Sequence, residues 1–597
     1  MNITPNKLSI AQLFATPNEQ FIVPSYQRRY AWGYNQYSAL YEDIDMLKEN
    51  DGHLFGMIIL HTSFHTAGIN QPELVDGQQR MTTLVLFLKA FEHVYRKKGK
   101  EDKANEIKKM IVCKGLDDIE RTKIKLGDLD NKDIENLVLK NQFSDLENKN
   151  IRFAINDYIN WLSNLEIDEL NKLYFKLTNI AVIIRLDVGM AQDAYKLFET
   201  INNRGLKLKP TDIIKNFLLG HAAKINQNDI LEVVKNLWSK VIVNLDDLDS
   251  DDFLRQFMSS ILQRKVTMTM LVIEFKKYYL KNVEFAELLG EFEYYQDEEY
   301  YEVEDSDDEN IENVSEGNEN NNEDKFTIVE LLEKLVKLSE VYRKISLAKH
   351  ESIKINRRLK NLNQILSKST YIFLMHFLLE DKYNKREKLK VLKYLETLML
   401  RRHICERRTN ENDDIFSKLV GFIGKSKIED EIRNYIEEEG YVPDDNDFEV
   451  YFPKHQFKGK LIDRAKYVLE NIEYYKRGNT DELILSSNQE VHLEHIIPQT
   501  INTKKSKQEF GNWEDYLGEK SLSKHKKYVH CIGNMTLLGE SLNIQAYNNP
   551  FTKKKGSYKV SNLLITNELS SYSDFKFTHV DKRSDVFTKM ALKIWKI

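Results

Sequence analysis

VHLEHIIPQT (491–500), read together with HCIGNMTLLGESLN (530–543), decides the fold at the C-terminal end of this chain. VHLEH reads as a strand that closes shortly before Pro498, a residue that helps the chain leave a sheet. IGNMTLL reads as a second strand and SLNIQAYNN as the start of a helix. The outcome is a strand–strand–helix unit with Glu494 and His495 at the end of its first strand. Neighbouring side chains on a strand face opposite ways, so one metal ion touching Glu494 while His495 reaches a water requires a bend there.

Cutting a phosphodiester takes a deprotonated water and something to offset the negative charge on the leaving oxygen. A neutral imidazole such as His495 takes the proton near neutral pH. A hard cation on oxygen ligands meets the charge, and Glu494 and the amide oxygen of Asn543 are ligands of that kind. Asn534 is expected to orient the His495 ring by hydrogen bonding. Each residue also has a plainer reading: a structural strand histidine, a turn asparagine after Gly533, an asparagine at a helix start. Order, spacing and setting together favour the catalytic one. His492 and His495 form an H-x-x-H pair, but no cysteine or third histidine stands at ligand spacing, so zinc is the weaker alternative.

E-H-I-x-P-Q, then G-N-x-T-L-L, then L-N resembles the ββα-metal HNH nucleases, and most closely the nuclease domain of the GmrSD-type, modification-dependent (type IV) restriction endonucleases. The resemblance implies His495 as general base and Asn534 as orienting residue. It also implies Glu494 and Asn543 as ligands of Mg2+ or another divalent metal such as Mn2+. F-x-x-K-K-x-x-Y (Phe551, Lys554, Lys555, Tyr558) is similar too, and implies a basic, aromatic edge at the DNA backbone. The residue before the histidine is Glu where many HNH enzymes have Asp, and the longer arm shifts where a metal would sit.

Three segments stand out near the other end. VPSYQRRYAW (23–32) gathers Tyr26, Gln27, Arg28, Arg29, Tyr30 and Trp32, a mixture suited to phosphates and stacked bases or to an amphipathic strand. VDGQQRMTTL (75–84) sets a polar turn with Gly77 between a strand and a helix start, where backbone N–H groups and Arg80 attract anions. Asp76 is placed to hold a metal, position a water or cap the turn. FETINNRGLKLKPTDIIKNFLL (198–219) offers Asn202, Asn203, Arg204 and Gly205, then Asp212 and Lys215 on a helix capped by Thr211. In this order the segments resemble the GmrS-like N-terminal domain, which implies a ParB/sulfiredoxin-like fold over roughly residues 8–225. The resemblance implies nucleoside triphosphate (GTP or ATP) binding or hydrolysis through Asp76, Gly77, Gln78, Gln79 and Arg80. It implies sensing of modified DNA by the same domain, which the 23–32 segment is the candidate to serve. GFIGKS (421–426) is not a phosphate-binding P-loop, because its first glycine would fall on Leu419.

The chain is 41% hydrophobic and 30% charged, as a soluble globular protein is. It has no long apolar run and no basic-then-apolar leader in MNITPNKLSIAQLF, which points away from a membrane and to the cytoplasm. Cys113, Cys405 and Cys531 lack C-x-x-C spacing, which fits a reducing compartment. Residues 291–325 hold 16 Asp or Glu and one Lys, so the remainder carries about +9 against a chain total of −6. Such an acidic segment reads as a disordered linker, and a moderately basic body suits DNA.

The expected class is α+β and mostly helical. Its parts are a ParB/sulfiredoxin-like domain (1–225), a helical extension (226–290), the acidic linker (291–325), a helical domain (326–480) and an HNH domain (481–597). The leading functional reading is an antiphage restriction endonuclease that senses DNA, binds nucleotide and cuts DNA; a homo-oligomer is compatible with it. The alternatives are a nucleotide-regulated DNA-binding protein with an inactive nuclease, and an RNA-cutting toxin.

Overall fold

The computed structural model describes residues 3–48, 53–62, 65–202, 209–225, 229–289, 325–478, 490–504, 507–508 and 511–597. The acidic run over 291–324 and the Asn203, Arg204 and Gly205 motif lie outside these residues. The described chain is a mostly helical α+β protein with a small mixed sheet. It forms two compact units: Met1–Arg255 with Thr267–Glu340, and Gln256–Val266 with Val341–Ile597. Among the described residues no helix is long and apolar enough to cross a membrane.

The first unit is built on a six-stranded sheet. Its strands are β1 (Ile3–Ser9), β2 (Phe21–Ile22), β3 (His53–His61), β4 (Glu73–Asp76), β5 (Ile124–Lys125) and β6 (Ala181–Val188), in the spatial order β1-β6-β3-β4-β2-β5. β6 runs antiparallel to β1 and parallel to β3. HLFGMIIL (53–60), ELVDG (73–77) and NIAVIIRLD (179–187) read as strands from their apolar runs, and they carry β3, β4 and β6. Helix α1 (Gln78–Lys97) follows β4 through Gly77. The sequence suggests one apolar face with Leu84, Leu88 and Phe91, but Val85, Leu86 and Phe87 are equally excluded from solvent. A helix buried on all sides through this stretch belongs inside a core; its buried Lys89 and Glu92 pair with each other at 2.6 Å. Against it packs α2 (Lys149–Ser163); α3 (Ala191–Asn202) lies on β3 and β4, α4 (Pro210–Lys224) packs on α3, and α5 (Ile230–Leu245) packs on α4.

The second unit opens with helices. α6 (Lys385–Ile404) starts in a capping box made by Asn384 and Glu387. It ends on Arg401 and Arg402, both buried. Arg401 donates to Trp595 O, Pro443 O and Asp445. Arg402 donates to Asn412, Tyr441 O and Glu411. The LRRHI stretch (400–404) is therefore a structural anchor. After α7 (Ile462–Lys476) come β7 (Val491–His495) and β8 (Met535–Gly539), paired antiparallel with Glu494 opposite Thr536 and His495 opposite Met535. The second strand starts later than IGNMTLL suggested, because Ile532–Asn534 form a 3₁₀ turn. Helices α8 (Glu540–Ala546), α9 (Phe551–Lys559) and α10 (Phe577–Ile594) close the unit. Arg583 of α10, buried, donates to Gly533 O, Met535 O and Ile565 O and so fixes the start of β8.

Two stability predictions follow from this framework. Gly77 has φ +97°, and a Cβ there would lie 2.5 Å from Ile58 Cγ2. Gly77→Ala is expected to cost at least about 2 kcal/mol, read from the urea transition of the first unit; an unmoved midpoint contradicts this packing. In the second unit, burial lowers the His403 pKa to about 3 and that of His455 to about 4, with the Arg464 charge adding to both. Below about pH 6.5 the unfolded chain protonates these rings and the folded one does not. Stability should therefore fall as pH drops from 6.5 towards 4, by up to about 1.4 kcal/mol per pH unit for each ring. His403→Gln and His455→Gln should flatten that slope in urea titrations at several pH values.

Candidate functional site

β7 runs straight through Glu494 and His495, and the bend expected between them comes after His495, at Ile496 and Ile497. Asn534 holds that bend. Its side chain accepts from Ile497 N (2.8 Å) and donates to Ile497 O (3.0 Å) and Val529 O (2.9 Å). Its carbonyl accepts from Ile496 N at 2.9 Å. Asn534 thus fixes the backbone beside His495, whereas the sequence reading places it on the imidazole. The group that meets the ring is Gln499, whose amide nitrogen is 3.2 Å from His495 Nδ1. His530 stacks edge-on to the same ring, with centroids 5.4 Å apart. The His530 carbonyl is itself held by Phe457 N. Among the described residues, His495 Nε2, His530 Nδ1 and Asn543 Oδ1 are buried without a hydrogen-bond partner. Asn543 lies on α8, which packs against β7 and β8.

Glu494 is buried on the other side, where α9 meets β7. Lys554 Nζ donates to Glu494 Oε1 at 2.6 Å and to His495 O at 2.8 Å. Tyr558 OH donates to the same Oε1 at 3.1 Å. Burial pushes the Glu494 carboxyl up and the Lys554 ammonium down, and their mutual attraction opposes both shifts. Breaking such a pair by removing one partner costs about 3–5 kcal/mol. Lys554, 1% exposed, therefore does not form the basic edge towards DNA that its sequence setting suggested; Lys555 is half-buried and Lys553 exposed. Burial, with the charges of His530 and Lys554 beside it, lowers the His495 pKa to about 3, so its ring is neutral at pH 7.

In the first unit the Asp76–Arg80 turn gathers charges from distant segments. Asp76 is raised by burial and faces Arg80, Lys215 and Asp212. Lys215, buried on α4, sits 3.5 Å from Asp212 and donates to Gln27 at 2.7 Å. Arg80 donates to Met57 O. The two glutamines point elsewhere: Gln78 donates to Arg28 O, while Gln79 donates to Arg29 O and accepts from Ala31 N and Trp32 N. They clamp the 28–32 backbone against α1.

That clamp changes the reading of VPSYQRRYAW. Tyr26 and Tyr30 are 2% and 1% exposed, bonded to Glu73 and Tyr195 and to Thr83 respectively, so neither ring can stack on a base. Arg29 is committed to Asp130 and Asp246. Gln27 is held by Val75 O and Lys215, and Trp32 packs on the core. Arg28 keeps 39% of its side chain exposed beside Asp212. Gln499, His530, Tyr558 and Arg583 are the contributors that sequence reasoning left without these roles. The Q of E-H-I-x-P-Q was a usable signal for the first.

Asn534→Ala would leave Ile497 N, Ile497 O and Val529 O unmet, at about 1–3 kcal/mol for each buried group. Asn534→Asp should be no better, since a carboxylate oxygen would face two carbonyls. A urea midpoint for the second unit that does not fall in either variant contradicts the assignment.

Comparison with known families matches both ends of the chain. The N-terminal domain of the GmrSD restriction endonucleases matches residues 10–219, and the C-terminal domain matches residues 442–590. No curated protein matches the chain. The first match contains the Asp76–Arg80 turn with Asp212 and Lys215, and the second contains Glu494, His495, Asn534 and Asn543. The chain therefore belongs to the GmrSD restriction endonuclease family and has the two-domain architecture of such an enzyme.

Proposed function

We propose that the second unit cuts DNA in an HNH-type ββα-metal site, with His495 as general base and a divalent cation (Mg2+ or Mn2+) held by Glu494 and Asn543. The observation that carries this reading is that one strand–strand–helix unit holds two buried acceptors without a hydrogen-bond partner, His495 Nε2 and Asn543 Oδ1, together with the buried carboxylate of Glu494. Glu494 and the amide oxygen of Asn543 are hard oxygen donors, which suit Mg2+ or Mn2+ better than zinc. When bound, the cation would offset the negative charge on the scissile phosphate and leaving oxygen. His495, neutral, accepts the proton of the attacking water at Nε2. That role requires the ring proton on Nδ1, which Gln499 supports with its amide turned so that the oxygen faces the ring. Asn534 holds the bend that aims the imidazole, and His530 limits the ring's rotation.

The Gly77 turn with Asp76, Arg80, Asp212 and Lys215 is the nucleotide (GTP or ATP) site in this account. Gln78 and Gln79 contribute by fixing the 28–32 segment over it, and Arg28 is the exposed cation beside it. A helix start behind a positive-φ glycine, with a guanidinium and an ammonium converging, suits a polyphosphate. This unit is also where we place the sensing of modified DNA, although the buried Tyr26 and Tyr30 take no direct part in it.

His495→Ala should lower plasmid cutting by about 10²-fold or more, with folding retained. EDTA should abolish wild-type cutting and added Mg2+ or Mn2+ restore it. Near-wild-type cutting by the purified variant rejects His495 as the base, and cutting of RNA with DNA left intact favours a toxin instead. For the first unit, Arg80→Ala should weaken nucleotide binding at least about tenfold by loss of a charge-assisted contact while Mn2+ binding in the second unit stays unchanged. Equal nucleotide affinity in the variant and wild type refutes the site.

A further inference from the structure

Lys554 lies in a run of three lysines, yet its ammonium is inside the protein. It is 2.6 Å from Glu494 Oε1 and 2.8 Å from His495 O, and its side chain is 1% exposed. Tyr558, one helical turn further along α9, donates to the same carboxylate oxygen. An anionic oxygen and a neutral carbonyl oxygen converging on one buried positive charge is the kind of ligand set a hard cation takes. Two cations on one carboxylate in water-poor surroundings repel strongly, because the interaction is little screened.

We propose that Lys554 is the built-in counter-ion of the Glu494 site and competes with the divalent cation for that carboxylate. The inference rests on Glu494 being a metal ligand. With no divalent cation bound, Lys554 holds the buried carboxylate in place and ties it to the His495 backbone. It is a positioning residue, and it acts through Glu494. Divalent affinity is then set by how readily the ammonium yields Glu494. Cation binding is thereby coupled to α9, the helix that presents the exposed Lys553 on its outer side.

The test is Mn2+ affinity, by electron paramagnetic resonance of free Mn2+, together with the Mn2+-induced shift in melting temperature. It uses full-length wild type, Lys554→Met, Glu494→Gln and the Glu494→Gln/Lys554→Met double variant. Lys554→Met should melt lower without metal, bind Mn2+ about tenfold or more tightly, and gain more in melting temperature from Mn2+ than wild type does. The double variant should recover much of the lost stability and bind no Mn2+ at this site. Equal or weaker Mn2+ binding by Lys554→Met overturns the proposal, since a purely structural lysine would weaken the site when removed. If Lys554→Met does not fold without metal, refolding it in Mn2+ is the readout. Recovery supports competition, and failure at Mn2+ levels that saturate wild type overturns it. If wild type and Glu494→Gln bind Mn2+ alike, Glu494 is no ligand, and the metal-site reading falls together with the proposal.

Discussion

The ammonium of Lys554 and the carboxylate of Glu494 meet at 2.6 Å where water is excluded, and this contact constrains everything around it in the second unit. Each charge alone would be costly in that place, so α9 has to dock on β7 in one register. Docking puts Tyr558 on the same oxygen and brings Lys554 to the carbonyl of His495, so the two residues of the E-H pair are tied down by one helix. Asn534 does the complementary work from the other side, closing the bend after His495 with three side-chain hydrogen bonds. Beside this framework, His495 Nε2, His530 Nδ1 and Asn543 Oδ1 are buried without a protein hydrogen-bond partner, and the proposed chemistry is assigned to the first and last of them.

The first unit uses amides in the same way. Gln78 and Gln79 secure the backbone of residues 28–32, and Gln27 links β4 to Lys215 of α4. Charged groups that are far apart in sequence, Asp76 and Arg80 on one side and Asp212 and Lys215 on the other, then face one another around a helix start. In both units some motif amides (Gln78, Gln79, Asn534) hold backbone, and motif charges meet one another. A family signature of this kind mixes residues that do chemistry with residues that hold the chain in place.

How much of this could be read from the sequence differs by element. β3, β4, β6 and β7 were legible because apolar runs are bounded by turn residues. The start of β8 was not, since the 3₁₀ turn at Ile532–Asn534 is imposed by Arg583 and Asn534 bonds to distant carbonyls. Tyr26 and Tyr30 looked like base-stacking residues because composition cannot separate such rings from core rings; their partners Glu73 and Thr83 lie 47 and 53 residues away. Lys554 was the more avoidable error. Phe551, Lys554 and Tyr558 share one helical face, and the two aromatics are buried, so the lysine between them had to be buried too.

The central claim is that Glu494 and Asn543 hold a catalytic divalent cation next to His495. Anomalous diffraction from crystals of the full-length protein soaked in Mn2+ tests it most directly. The account predicts one peak bonded to side-chain oxygens of both Glu494 and Asn543, with Lys554 Nζ displaced from Glu494. A peak on His492 and His495 instead, or none near Glu494 at Mn2+ concentrations that support cutting, would contradict it.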